Sequence, residues 1–206
     1  MNKNSLTIFP FILKISSILP RFIKSIVFDE SKNSQQLSLE LYSQQDIVPV
    51  LNFLKNHSNS LFLSLAELTA VDWLGNIGNS NNGFLIRERF QLIYILTSHY
   101  FNIRIKVVCF LNDEATASSL CSLFKAANWL EREVYDMFGI FFVNHFDLRR
   151  ILTDYGFEGY PLRKDFPVTG YTEVRYDDTE KCLVYESLEL SQELRSFDTL
   201  SPWTNS

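Results

Sequence analysis

Apolar and polar positions alternate with a period of two over residues 22–28 and 35–42, on either side of a polar link from Asp29 to Ser34. That pattern predicts a β-hairpin. After Ser43 the period lengthens, and Ile47, Val50, Leu51 and Leu54 form a stripe at helical spacing. Ser43 is suited to cap this helix, and Asp46 at its third position favours the helix N-terminus. Three segments rich in β-branched and aromatic residues follow, 61–73, 87–98 and 101–110, the first two separated by a Gly/Asn loop over 75–83. Residues 113–126 predict a second helix. A third begins at Asn128, with Asn128 and Glu131 spaced as a capping box and Gly139 placed to end it in the left-handed conformation. Leu130, Val134, Met137 and Phe138 would line its buried face, leaving Arg132 and Asp136 one turn apart on the outside. The prediction is an α+β fold: a compact domain over 1–158 of about five strands with flanking helices, including an N-terminal helical segment and the helix 129–138.

From about Gly159 the periodicity fades. Pro161, Pro167, Gly170 and Pro202 are mixed with isolated anchors, Phe166, Tyr171, Tyr176, Tyr185, Phe197 and Trp203. Residues 159–206 therefore read as an extended tail that orders against a partner. At the other end, Ile8 to Leu19 with Lys3, Lys14, Arg21 and Lys24 carries a faint presequence character. Pro10 and Pro20 interrupt it, so a short amphipathic helix covering one edge of the domain is the favoured reading.

Charge changes the picture of what could bind. Residues 1–127 hold 11 basic and 9 acidic side chains, whereas 128–206 hold 8 and 15. An acidic C-terminal third opposes a nucleic-acid surface, which needs a net positive field. Cys109, Cys121 and Cys182 are odd in number and lack CxxC spacing, against a disulfide framework, zinc site or iron–sulfur cluster and in favour of a reducing compartment. No apolar run reaches the roughly 20 residues of a spanning helix.

The candidate chemistry is thin. Glu131 and Glu133, two apart on a helix, diverge by about 200° and cannot flank one bond, and Glu133 with Asp136 has no evident pocket. His57, His99 and His145 have no cysteine or carboxylate at ligand spacing, and no glycine-rich phosphate loop or nucleophile elbow is present. The run Arg149, Arg150, Tyr155, Phe157, Tyr160, Arg163 and Lys164 imitates a basic-aromatic RNA surface. Asp147, Asp154, Glu158 and Asp165 neutralise it step by step, which fits a protein interface better.

Residues 131–176 carry a longer signature. Glu131-Arg132-Glu133, two spacers, Asp136-Met137-Phe138-Gly139, then His145, Asp147 to Asp154, Gly156 to Gly159 and Pro161 to Pro167 follow in fixed order. This block resembles the 30 kDa subunit family of respiratory complex I, the proton-pumping NADH:ubiquinone oxidoreductase, whose mitochondrial members are called subunit 9. Phe146 stands where proline is usual, and Tyr160 where histidine is usual. The resemblance implies a core subunit of the hydrophilic arm without a redox centre or active site of its own. FMN, iron–sulfur clusters and quinone are then expected in partner subunits. It implies further that the tail lies along the large, hydrogenase-like quinone-site subunit, with other peripheral-arm subunits nearby. The interface would draw on Glu131, Arg132, Glu133, Asp136, His145, Arg149, Arg150, Tyr160, Arg163, Lys164, Asp165, Phe166, Tyr171 and Tyr176. The continuation after the signature looks like the mitochondrial or α-proteobacterial branch. That places the chain on the matrix side of the mitochondrial inner membrane, or alternatively on the cytoplasmic face of a bacterial plasma membrane. An RNA-associated accessory protein using 149–164 is the alternative.

Overall fold

The structure, a computed structural model, describes residues 14–31, 34–75, 80–81, 84–85, 88–195 and 197. The expected presequence-like segment before residue 14, and Trp203, lie outside the described residues. The chain divides into two units, Met1–Phe166 and Pro167–Ser206.

In the first unit the alternating segments form the strands that their period predicts. β1 (Ile23–Ser31) and β2 (Ser34–Leu41) make the hairpin, antiparallel from Ile23↔Leu41 to Ser31↔Ser34. β3 (Ser64–Asp72), β4 (Phe90–Ser98) and β5 (Ile103–Leu111) complete a five-stranded sheet in the order β1-β2-β5-β4-β3. Only the central β2–β5 pair is parallel. A bulge between Leu65 and Glu67 lets both Leu65 and Leu68 face inward although they are three residues apart.

One face of this sheet, with Leu37, Leu39, Tyr94, Leu96, Val107 and Leu68, shares a core with α1 (Ile47–Asn56), which buries Ile47, Val50, Leu51 and Leu54. Each such aliphatic side chain contributes about 1.5–3 kcal/mol when withdrawn from water. Ser43 caps a 3-10 turn, Gln44–Asp46, that precedes α1, so Asp46 lies before the helix instead of inside it. Upstream, residues 14–18 form a helical turn whose Ile15 is fully buried.

The helix expected over 113–126 does not form. Ala117–Ser118 (β6) instead pairs in parallel with Phe142–Val143 (β7), and the chain turns between Leu120 and Phe124. Thr116, Ser118, Ser119 and Ser122 are weak helix formers that compete for backbone hydrogen bonds. A tertiary carboxylate, Glu131, takes the Leu120 N–H instead.

α2 (Ala127–Phe138) begins two residues before the predicted 129, with Ala126 as its cap and no side-chain capping bond, so the Asn128–Glu131 box is absent. Gly139 ends it at φ 74°, as the sequence predicts. Leu130, Val134, Met137 and Phe138 pack against the core as expected, but Glu131, Arg132 and Asp136 are buried as well. Arg132 and Asp136 are thus not on the outside. The helix is covered on the side that its charges suggested was open.

The second unit contains an element that its sequence does not announce. β8 (Thr172–Asp177) and β9 (Cys182–Ser187) form an antiparallel hairpin, with Lys181 in the left-handed region at its turn. Val174, Tyr176, Leu183 and Tyr185 share one exposed face. On the other, the Arg175 guanidinium donates to both carboxylate oxygens of Glu186, at 2.9 and 2.6 Å.

Candidate functional site

The signature residues are drawn together around α2. Asp136, fully buried, accepts N–H bonds from Ile151, Leu152 and Thr153 at 3.1, 2.7 and 2.9 Å. Thr153 Oγ1 at 2.6 Å and Arg150 Nη1 at 3.2 Å add two more. Burial alone would raise the Asp136 pKa, but the Thr153 hydroxyl and the three N–H groups outweigh it and hold the carboxyl below its usual range. The spacing from Asp136 to Thr153 is thus the span of one loop folded back onto one helical carboxylate.

Arg150 also donates to the Gly159 carbonyl at 3.0 Å, and its guanidinium lies 4.9 Å from the Tyr160 ring centre. The Arg163 guanidinium lies 4.8 Å from the same ring, while its Nε donates to the Phe138 carbonyl at the end of α2. A Cβ on Gly139 would come within 2.6–2.8 Å of Tyr160 ring atoms. Gly139 is therefore required twice, for its positive φ and for the ring beside it.

A second clamp ties this block to the sheet. Arg89 reaches Asp72 through Nε and Nη2, both at 3.1 Å, Asp113 at 2.7 Å and Asp165 at 2.8 Å. Asp72 also accepts the Lys164 N–H at 2.9 Å. Its pKa, which burial would raise, is pulled below the usual range by Arg89 and by the Lys164 and Leu74 N–H groups. Its bonds to Asp72 in turn raise the pKa of Arg89. The Phe166 ring is tilted against Phe157, with ring centres 6.0 Å apart, and lies over Gly159.

Glu131 is the third anchor. Its carboxylate accepts from Ser119 Oγ and the Leu120 N–H, each at 2.7 Å. Here burial prevails over these bonds and raises the pKa. His145 has a buried side chain whose Nδ1 accepts the Asp147 N–H at 3.1 Å, which leaves Nε2 as the protonated nitrogen facing the Asn128 carbonyl at 3.3 Å. Cys121, Glu131 and His145 each present one ligand-type atom, all within 4.8 Å of one another. Sequence spacing held no sign of this meeting, because three separate segments supply the atoms. Both Glu131 oxygens already accept hydrogen bonds, so the group is a hydrogen-bonded junction between the 119–121 turn, α2 and the loop at 145.

The other predicted interface residues differ in exposure. Glu133, Arg149, Lys164, Asp165, Tyr171 and Tyr176 are exposed, although Asp165 is bound to Arg89, and Phe166 is half-buried. Arg149 pairs with Asp147 at 3.1 Å. Arg132 is buried with its guanidinium over Trp129, 4.7 Å from the ring centre. Phe146, at the departure from proline, is exposed and stacked on His145. Sequence reasoning missed Asp72, Arg89, Asp113 and Ser119. Three of them are charges at strand ends, Asp72 in β3, Arg89 before β4 and Asp113 after β5, and only the fold brings those ends together.

This chain is matched over residues 41–172 by the family described as "Respiratory-chain NADH dehydrogenase, 30 Kd subunit". It is 45% identical to NADH-ubiquinone oxidoreductase subunit 9 of Reclinomonas americana, over 94% of this chain and 87% of that protein. An NADH-quinone oxidoreductase subunit of Paramagnetospirillum magneticum is 44% identical over 92% of this chain and 88% of its own. A probable mitochondrial 30.4 kDa subunit of Candida maltosa is 46% identical over 89% of this chain and 61% of its own. A chain of the archaeal membrane-bound sulfane sulfur reductase shares the fold, with a TM-score of 0.59 at 22% identity over 77% of this chain and 85% of its own. With its signature locked around α2 and a match that spans most of its length, the chain belongs to the 30 kDa subunit family of the respiratory-chain NADH dehydrogenase.

Proposed function

We propose that this chain is a core structural subunit of the peripheral arm of NADH:quinone oxidoreductase, supporting electron transfer by assembly and holding no redox centre. FMN, iron–sulfur clusters and quinone belong to its partners, and it faces the mitochondrial matrix or, in a bacterium, the cytoplasm. The observation that carries this reading is how the signature engages its side chains. Asp136 and Arg150 bond each other, and Glu131, Arg150 and Arg163 bond the local backbone, so the block is built for rigidity. Apolar groups are left outward instead, Leu152, Leu162 and Phe146 with a fully exposed Tyr155. Such groups suit a protein interface, where aromatic and apolar anchors supply most of the binding energy. The large quinone-site subunit is the partner proposed for this surface and for the hairpin of the second unit. An RNA-binding reading of 149–164 is disfavoured, because Arg150 and Arg163 are engaged within the chain and only Arg149 and Lys164 of its basic residues are exposed.

Gentle solubilisation of native membranes followed by capture through a tag on this chain tests the proposal. Flavin- and iron–sulfur-bearing subunits should co-purify in fixed ratio, and the separated chain should contain no stoichiometric iron, zinc or flavin. Recovery with RNA in their place would overturn it.

A further inference from the structure

Beside the signature, β3 is an edge strand: β4 pairs with one side, and among the described residues no strand pairs with the other. The Leu68 N–H points to that open side, where it donates to the carboxylate of its neighbour Glu67 at 3.2 Å. By the two-residue period of a strand, the N–H and C=O of Ala70 point the same way. Alongside runs a groove of about 410 Å³ between β3 and α2. Leu68, Leu130, Val134 and Met137 give it an apolar floor, and the exposed carboxylates of Glu67 and Glu133 lie on its two walls. Neither carboxylate forms an ion pair with any described basic residue.

We infer that this groove receives an extended segment of a partner subunit, which adds a strand to β3 and carries a lysine or arginine between the Glu67 and Glu133 carboxylates. Strand addition draws on backbone bonds for affinity and on side-chain pockets for selectivity. The acidic walls set the charge of the occupant. They also disfavour a second copy of this chain, since antiparallel pairing of β3 with itself would bring four carboxylates into one groove. Glu67 serves meanwhile as a guard on an open edge, holding the Leu68 N–H until the partner strand replaces it.

The inference rests on the proposed assembly and is tested by hydrogen exchange over residues 64–72, compared between the isolated full-length chain and the native complex. Exchange at Leu68 to Ala70 should be at least about tenfold slower in the complex, as expected when edge amides become paired. In complex carrying Glu67→Lys with Glu133→Lys, that protection should fall back toward the isolated rate. Both side chains are exposed, so the urea midpoint of the free chain should not move. A complex that holds the chain while β3 exchanges at the isolated rate would overturn the groove and leave the assembly reading standing. Protection that survives charge reversal, or a carbodiimide link from Glu133 to a second copy, would overturn the basic occupant.

Discussion

Five donors meet on the Asp136 carboxylate, three of them consecutive backbone N–H groups. Removing such an acceptor strands every donor at once, so Asp136→Ala should cost about 3–5 kcal/mol, measured as a shift in the urea midpoint of the free chain. The sequence placed Asp136 on the helix correctly but on its outside. Helical spacing gives the angle between two side chains, not which angle faces the protein, and the loop that covers Asp136 has no periodicity to reveal its course. Tyr160 makes a different kind of test. Two guanidinium groups lie against its ring. In Tyr160→His the same neighbours would oppose an imidazolium and keep the new ring neutral near pH 7. Quinone-reductase activity of the assembled complex and its pH profile should stay nearly unchanged. A new ionisation controlling turnover would place position 160 in the chemistry.

At the scale of elements, α2 is held at its C-terminal end by Gly139, the Tyr160 ring and the Arg163 bond to Phe138. Gly139→Ala faces a left-handed backbone, costing about 1–2 kcal/mol, and a ring in the way of the new methyl group. Pairing it with Tyr160→Ala should recover the steric part and leave the backbone part, which calorimetric melting of the two variants would separate. Strand existence was readable here because β3 to β5 bury alternate residues over most of their length. The helix expected over 113–126 failed for a tertiary reason, the capture of Ser119 and Leu120 by Glu131 from 11 to 12 residues downstream. The hairpin of β8 and β9 escaped notice because its alternating pattern sits among prolines and its apolar face is exposed. Nothing in the chain's own core demanded it.

For the whole molecule, pH links the two clamps. Asp72 and Asp136 have folded pKa values below the ordinary carboxylate range. Their contribution is fully present above the unfolded value of about 3.9 and is lost as pH falls through the folded values. Glu131 acts with the opposite sign: its raised pKa favours the folded state when the group is protonated, an advantage lost as pH rises from about 4.3 through the folded value. Urea midpoints followed downward from pH 7 should therefore hold or rise slightly before collapsing below about pH 4. The deficit of Asp136→Asn relative to wild type should shrink across that collapse. A constant deficit would mean that the carboxylate charge contributes nothing.

Division of labour between the two units gives the sharpest prediction. The first unit owns the five-stranded sheet, α2 and both clamps, whereas the second owns a two-stranded hairpin with four apolar side chains exposed on one face. An isolated hairpin is marginally stable in water, and a continuous apolar face usually marks an interaction site. Removing residues 167–206 should leave the first unit folded, with its urea midpoint little changed, while the truncated chain no longer enters the complex. Replacing Val174, Tyr176, Leu183 and Tyr185 with serine in the full chain should have the same effect on assembly without touching any residue of the clamps. If the truncated chain still assembles, docking belongs to the outward side chains of the signature block, and the hairpin serves another contact.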